Sequence, residues 1–185
     1  AYEMKAGREQ SDRPPAVISL NFDFGSWHNV NYERPGAAFL FMKDLLGEEQ
    51  YKMALKKFIS DWSYKHPTPY DFFNTVNSVA GEDLSWYWNP WFFEFGYPDL
   101  AVKEFKEDQG NRIVTIEKPG NIPVPISLKI IFDDDSTMVL KQTARVWEKG
   151  NKTYQINIAG DKKIKQLALD NWSIPDVIRR NNSFD

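Results

Sequence analysis

Residues 84–98 read LSWYWNPWFFEFGYP, and within this stretch the chain changes from helical to β patterning. Gly96 and Pro98, near its end, are typical of a helix stop. Before them, large apolar side chains recur at i, i+4, i+7, i+8 and i+11, which is the spacing of one face of a helix. We therefore predict a helix whose apolar face packs into a core. That face consists of Leu84, Trp88, Trp91, Phe92 and Phe95.

Three further helices are predicted upstream. The first runs from a first-turn proline, Pro35, to a terminating glycine, Gly47. The second begins near Glu48. The third starts at a good cap residue, Thr68, with an acid three positions later, and ends at Gly81. In chain order, the predicted inward faces are Ala37, Leu40, Phe41 and Leu45; Tyr51, Ala54, Leu55, Phe58, Ile59 and Trp62; and Phe72, Val76, Val79 and Ala80.

Downstream, the apolar period changes from about 3.6 to about 2. Residues 126–132 alternate between apolar and polar side chains, and so do 154–158 and 167–169. Clusters of turn-forming residues separate the runs. Six or seven short strands with regular turns indicate an antiparallel Ig-like β-sandwich. The turn clusters lie at 109–111, 119–121, 133–135, 150–151 and 160–161.

The predicted fold class is therefore α+β, a short α-helical subdomain followed by an Ig-like β-sandwich. We place an extended lead-in at 1–31, the helical subdomain at 32–97, the sandwich at 98–178 and a frayed tail at 179–185. The lead-in is expected because it shows little periodicity and contains adjacent prolines. One part of it, Ala16–Leu20, is apolar enough to pack down.

The composition argues against several classes of protein. Hydrophobic residues make up 42% of the 185 residues and charged residues 26%, as in ordinary globular domains. The formal net charge is −3 and the Lys and Arg residues are spread along the chain, so we expect no nucleic-acid partner. No apolar run approaches the roughly 18 residues that cross a bilayer, so we expect no membrane span. The absence of Cys excludes disulfides and thiol chemistry.

The sequence offers few metal ligands. It contains two histidines, His28 and His66, and neither starts the H-E-x-x-H pattern that places two imidazoles on one helix face. Pro67 also disfavours helical geometry at His66. We therefore predict no metal site in this chain. The sequence also lacks a G-x-S-x-G nucleophile elbow and a phosphate-binding loop.

The aromatic run at 86–93 has two interpretations. Its rings could form a platform on which a carbohydrate stacks, or they could fill a core. Helical spacing favours the core for Trp88 and Trp91. Trp86 and Phe93 lie off that face and could pack on the β module. A carbohydrate-binding module remains the weaker alternative.

Four short motifs, in order, resemble zinc aminopeptidases of the aminopeptidase N (gluzincin) family. Residues 31–38, followed by a helix into Leu-Leu-Gly-Glu, resemble the family's Tyr-x-Lys-Gly segment. Thr68-Pro69-Tyr70-Asp71-Phe72 resembles a family helix start. Residues 84–98 resemble the close of the catalytic domain, and 167–170 resemble part of the β-rich domain behind it. The resemblance covers about 30–178 and implies the C-terminal part of such an enzyme.

The resemblance implies one catalytic residue, Tyr32, whose phenol would donate a hydrogen bond to the oxyanion of the tetrahedral intermediate. Arg34 replaces the family's usual Lys and is expected beside the substrate cleft. The chain departs from the family in lacking the zinc-binding motif, which the family carries N-terminal to this tyrosine. The resemblance therefore implies no cofactor in this chain, and zinc in a full-length parent.

The partners implied for that parent are a peptide substrate and the remainder of its own catalytic domain. This chain alone is expected to be inactive, because the metal and its ligands would be missing. The alternative interpretation is a non-catalytic binding or scaffold module that keeps the same architecture. The upstream reading frame distinguishes the two, since only an enzyme needs the zinc-binding motif.

Overall fold

The computed structural model describes residues 2–8, 11–16, 24–169 and 173–184, without the side chains of 24 and 25. Most of the apolar segment Ala16–Leu20 and the last residue of the 167–170 motif therefore lie outside the described residues. Contacts between Cα atoms divide the chain into a helical unit, Tyr2 and Arg8–Phe95, and a β unit, Glu3–Gly7 and Gly96–Asp185. The α+β fold class is confirmed.

A continuous helical run opens the helical unit. Both of its junctions have right-handed helical backbone angles, so its three segments follow one another without a break. Pro35 lies just after the π-helical turn; it has no N–H to donate and its ring crowds the carbonyl four residues earlier, which disfavours a regular α-helical ladder here. The N–H of Arg34 instead reaches back to the carbonyl of Asn29. The segments are α1 (Phe24–His28), the first π turn (Asn29–Glu33) and α2 (Arg34–Leu46).

This run corrects the predicted lead-in, because 24–31 is helical instead of extended. Its residues have modest helix propensity, but Asn29 and Val30 are buried. Burial of one helix face outweighs weak local preference.

The remaining helices begin and end close to their sequence signals. Gly47 and Gly81 terminate α2 and α4 with φ of 78° and 74°, a backbone conformation that favours glycine. At the start of α4, the Thr68 N–H donates to Asp71 Oδ2 at 2.7 Å. The bounds are α3 (Glu48–Trp62), α4 (Pro69–Ala80), α5 (Ser85–Trp88) and the second π turn (Asn89–Phe93).

The predicted inward faces are only partly correct. In α2 the buried face is rotated, and Leu40 is 55% exposed. Within α3, Ala54 is buried whereas Ile59 is 63% exposed. Phe95 is 58% exposed because the backbone becomes extended at Glu94, so the helical phase no longer applies. The buried apolar residues of α2, α4, α5 and the second π turn include Ala38, Phe41, Met42, Leu45, Phe73, Val76, Tyr87, Trp88, Trp91 and Phe92.

The β unit contains two antiparallel sheets. One has the strand order β1-β2-β5 and the other β4-β3-β6-β7. Alternating side chains such as Val114, Ile116, Leu128 and Ile130 are buried, as the period of two predicts. The strands are β1 (Ala101–Asp108), β2 (Asn111–Glu117), β3 (Ile126–Phe132), β4 (Thr137–Gln142), β5 (Thr153–Asn157), β6 (Ile164–Leu169) and β7 (Ser183–Phe184).

The predicted frayed tail at 179–185 also needs correction. Strand β7 pairs with β6, with Ser183 opposite Ala168. Arg179 forms two 2.6 Å hydrogen bonds with the carboxylate of Glu3. A bidentate ion pair and added strand hydrogen bonds offset the entropy that frays a chain end. In the described residues, no helix combines the length and apolar character needed to traverse a bilayer.

Candidate functional site

Tyr32 lies on the first π turn with 56% of its surface exposed. Its ring stacks on His28, with 5.3 Å between ring centres and an interplanar angle of 28°. The ring of Trp27 meets it edge-on at 5.5 Å. Among the described residues, the Tyr32 hydroxyl has no hydrogen-bond partner. The phenol is therefore oriented by ring contacts, and its O–H is available to an external acceptor.

A carboxylate borders this aromatic group. Glu33 Oε1 lies 3.5 Å from His28 Nε2, and the Glu33 side chain is only 15% exposed. Its other oxygen, Oε2, is buried and has no partner within the described part of the chain. Buried polar atoms are usually hydrogen-bonded, so this oxygen marks a place where a further donor would be accommodated.

Arg34 was expected beside the substrate cleft. Its side chain is instead 0% exposed. Its Nε donates to the Trp91 carbonyl at 2.9 Å. Its Nη2 donates to the carbonyls of Pro90 and Glu94, each at 2.8 Å. The side chain thus holds the backbone of the second π turn. In this chain Arg34 stabilises the interior instead of lining an open surface.

Asp12 completes the environment of Arg34. Its Oδ1 lies 3.2 Å from Arg34 Nη1, with both side chains 0% exposed. Asn29 Nδ2 donates to the same oxygen at 3.2 Å and to the Ser11 carbonyl at 3.0 Å. The Tyr2 hydroxyl faces Asp12 Oδ2 at 3.4 Å. Burial raises the pKa of Tyr2 well above its usual range, so this phenol keeps its proton.

Sequence reasoning missed this buried cluster. Asp12 falls in a stretch without periodicity, and Asn29 precedes the resemblance to known motifs. The available signal was the Arg in place of Lys at position 34, since a guanidinium has five donors that suit several carbonyls at once.

Among the described tryptophans, Trp88, Trp91 and Trp147 are buried. Trp91 is 0% exposed and Trp147 is 2% exposed. The indole N–H of Trp147 donates to the Val124 carbonyl at 2.9 Å. Neither ring can stack on a sugar, whereas Trp86 is half-buried, so the carbohydrate-binding alternative loses these two rings. A recess of about 200 Å³ in the helical unit is lined by apolar side chains, among them Phe39, Phe72 and Phe92, and brings no titratable group to the site.

Comparison with known proteins agrees with the motifs around this site. No family model matches the chain. An alanine/arginine aminopeptidase of Saccharomyces cerevisiae is 23% identical over 78% of the chain. A probable aminopeptidase 1 of Saccharolobus solfataricus is 20% identical over 79%. This chain is related to aminopeptidases.

The related aminopeptidases are much longer than this chain. It spans 18% of the yeast protein and 19% of the Saccharolobus protein. A crystal structure of Legionella pneumophila aminopeptidase A in complex with aspartic acid is similar in fold, with a TM-score of 0.58 and 23% identity. That likeness covers 81% of this chain and 18% of the Legionella chain.

The part of the chain that the structure describes can be compared with the needs of a zinc site. Among the described residues, no three His, Cys, Asp or Glu side chains are grouped so that they could hold a metal ion. A catalytic zinc ordinarily needs three protein ligands and an open position. His28 faces Glu33 and the Tyr32 ring, and His66 is an exposed loop residue. The residues present therefore do not fit zinc.

Proposed function

We propose that this chain is the C-terminal part of a zinc-dependent aminopeptidase of the aminopeptidase N type. It would supply Tyr32 as an oxyanion donor, while the zinc ligands lie in other parts of a longer protein. The similarity to aminopeptidases over most of the chain supports this, as does its 18% share of the yeast relative. A peptide with a free N-terminus is the proposed substrate of the longer protein.

The observation that carries the proposal is the exposed, ring-held phenol of Tyr32. When a peptide carbonyl is attacked, negative charge develops on its oxygen. A preplaced donor stabilises that charge more than it stabilises the ground-state carbonyl, and this difference lowers the barrier. Tyr32 can donate such a hydrogen bond without first breaking one to a described residue. The proposed contribution of this chain to the reaction is that one hydrogen bond.

The surface of α3 supports a further partner, the remainder of the same catalytic domain. Ile59 is 63% exposed, although it belongs to the predicted apolar face of α3. Apolar helix faces are normally covered. In the proposed parent, the missing catalytic portion would cover this face.

For the β unit we propose an Ig-like sandwich. The seven strands form sheets of three and four, with orders β1-β2-β5 and β4-β3-β6-β7. Neighbours that are not consecutive, such as β2 with β5 and β3 with β6, are typical of Greek-key sandwiches of this kind.

The decisive experiment is Tyr32→Phe in the longer protein that contains this segment. Removal of one oxyanion donor is expected to lower kcat by about 10²–10³-fold, with KM and metal content nearly unchanged. Tyr64→Phe is the matched control, because Tyr64 is fully exposed and its loss removes the same hydroxyl elsewhere. An unchanged kcat in Tyr32→Phe would refute the role of Tyr32. A longer protein without H-E-x-x-H would instead favour the scaffold alternative.

A further inference from the structure

The buried residue Arg34 forms hydrogen bonds with both π turns. At the second turn, Pro90 interrupts the regular ladder, and the Glu94 N–H bonds to the Asn89 carbonyl. This leaves the carbonyls of Pro90, Trp91 and Glu94 without their usual helical donors. The guanidinium of Arg34 donates to all three at 2.8–2.9 Å. Arg34 is also the residue whose N–H closes the first π turn.

The first π turn is held at its other end as well. Asn29 is its first residue, and the buried Asn29 amide donates to Asp12 and to the Ser11 carbonyl. Asp12 in turn accepts from Arg34, so one carboxylate oxygen joins both ends of the turn. All these residues belong to the helical unit. We call Asp12, Asn29 and Arg34 the Asp12 network.

Tyr32 lies inside this anchored turn, three residues after Asn29 and two before Arg34. Outside the turn, its ring meets His28 and Trp27. Burying an ion pair is weak evidence for stability, since apolar side chains of the same volume often stabilise a fold as well. Such a pair can instead select one geometry among close alternatives. A π turn has such alternatives, because an α-helical ladder competes with it.

We propose that the Asp12 network is a positioning assembly that sets the direction of Tyr32. Its catalytic consequence rests on the function proposed above, whereas its effect on the ring of Tyr32 does not. The network touches no substrate. It would act by fixing the turn from which the phenol projects, and a displacement of about 1 Å at such a group can cost about 10²-fold in rate.

The direct test is proton NMR of the two histidines in the 185-residue chain. His28 stacks on Tyr32, so its ring protons carry a shift from the phenol ring, and exposed His66 is an internal reference. The Tyr32→Ala variant gives the chemical shift of the His28 ring protons when the Tyr32 ring is absent. Asn29→Ala is expected to move the His28 signal towards that value. Asn31→Ala is the matched control, because this exposed amide on the same turn bonds only to the Trp27 carbonyl, and it should keep the wild-type shift.

A wild-type His28 shift in folded Asn29→Ala would overturn the proposal. If Asn29→Ala does not fold, Arg34→Lys provides the same test, because its three N–H groups cannot replace the four hydrogen bonds that Arg34 donates to Asp12 and the three carbonyls. In the longer protein, kcat of Asn29→Ala should fall about 10–100-fold, with KM retained and no further fall in a Tyr32→Phe background. An equal fall in both backgrounds would show a merely structural role. If Tyr32→Phe in the longer protein stays active while Asn29→Ala shifts the His28 signal, only the proposed catalytic role of Tyr32 is refuted.

Discussion

At Gly120, a Cβ atom would collide with the carbonyl oxygen of Tyr97 and stand 2.8 Å from the backbone nitrogen of Asp99. The neighbours are backbone atoms, which cannot rotate away as a side chain would. The close approach also lets the Gly120 N–H face the Asp99 carbonyl at 3.4 Å. Glycine is therefore required here by contact distance.

Gly120→Ala is expected to destabilise the β unit by about 2 kcal/mol or more, because overpacking displaces backbone. Gly36→Ala is the matched control, since nothing lies within 4 Å of a Cβ at that helical position. It should instead stabilise the helical unit by about 0.5–1 kcal/mol. Urea denaturation of both variants measures the two effects. Equal stability of Gly120→Ala and wild type would contradict the close contact.

Tyr32 and Arg34 show how much of the candidate site was predictable at this scale. Tyr32 was found through neighbouring motifs, and the structure leaves its hydroxyl exposed; its catalytic role stays a prediction. Arg34, two residues on, was expected near the surface and is buried. A sequence shows that a guanidinium is present but does not show which carbonyls will need donors. That need arises because the second helical run ends at Glu94 and leaves carbonyls such as that of Pro90, 56 residues from Arg34, without helical donors.

At the scale of elements, α4 shows a start signal that works as local chemistry predicts. The Thr68 hydroxyl and N–H both bond to Asp71 Oδ2 at 2.7 Å. These two donors lower the pKa of Asp71 below its ordinary value. The stabilisation they provide is therefore present above the unfolded pKa and is lost as pH falls through the folded pKa.

Thr68→Ala is expected to destabilise the helical unit by about 1 kcal/mol, as loss of an N-cap typically does. Ser78→Ala is a suitable control, because Ser78 is an exposed residue within the same helix and alanine is the better helix former. Thermal denaturation of the three proteins at neutral pH measures the difference. As pH falls below the pKa of Asp71, the wild type should lose part of its advantage over Thr68→Ala. A constant difference down to pH 2 would contradict the capping interpretation.

The two π turns were less predictable than α4. Proline inside a helical pattern signals a break, and Pro90 lies within one, whereas Pro35 was expected to begin a helix. Whether the chain ends its helix there or continues through a π turn depends on donors from elsewhere. Here Arg34 supplies them to the second turn, and Asn29 anchors the first. Local preference determines where a helix becomes irregular, and tertiary contacts determine whether it ends there or continues through a π turn.

At the scale of the whole molecule, Lys118 links the stability of the β unit to pH. Burial, followed by the charge of Lys152, lowers the pKa of Lys118 from 10.5 to about 8. Its ammonium still donates to the carbonyls of Gly120 and Asn121. Between pH 8 and 10.5 the unfolded chain binds more protons at this residue than the folded chain does, so stability rises with pH.

We therefore expect the β unit to resist urea better at pH 9.5 than at pH 7.5, and the gain to disappear in Lys118→Met. The buried Val114 amide is a suitable NMR reporter of this unit. Lys141→Met, on an exposed strand residue, controls for the loss of one charge. A gain of the same size in Lys118→Met would assign the pH dependence to another group.

A second prediction at this scale concerns activity. The purified 185-residue chain is expected to bind no stoichiometric zinc and to release no N-terminal residue from a peptide, because its described residues form no three-ligand group. Elemental analysis and an assay with an aminoacyl reporter substrate measure the two properties. The longer protein, assayed in parallel, is the positive control. One zinc per purified chain would contradict the expectation.

By itself, the sequence determined the α+β class, the helix ends at glycines, the cap of α4 and the order of motifs related to aminopeptidases. These follow from local causes: backbone freedom, side-chain caps and apolar periodicity. Tertiary structure alone decided which faces of α2 and α3 are buried, that 24–33 is helical, that 183–184 pairs with β6 and that Arg34 is internal. Burial and the pairing of polar groups depend on partners distant in sequence, and periodicity does not identify those partners.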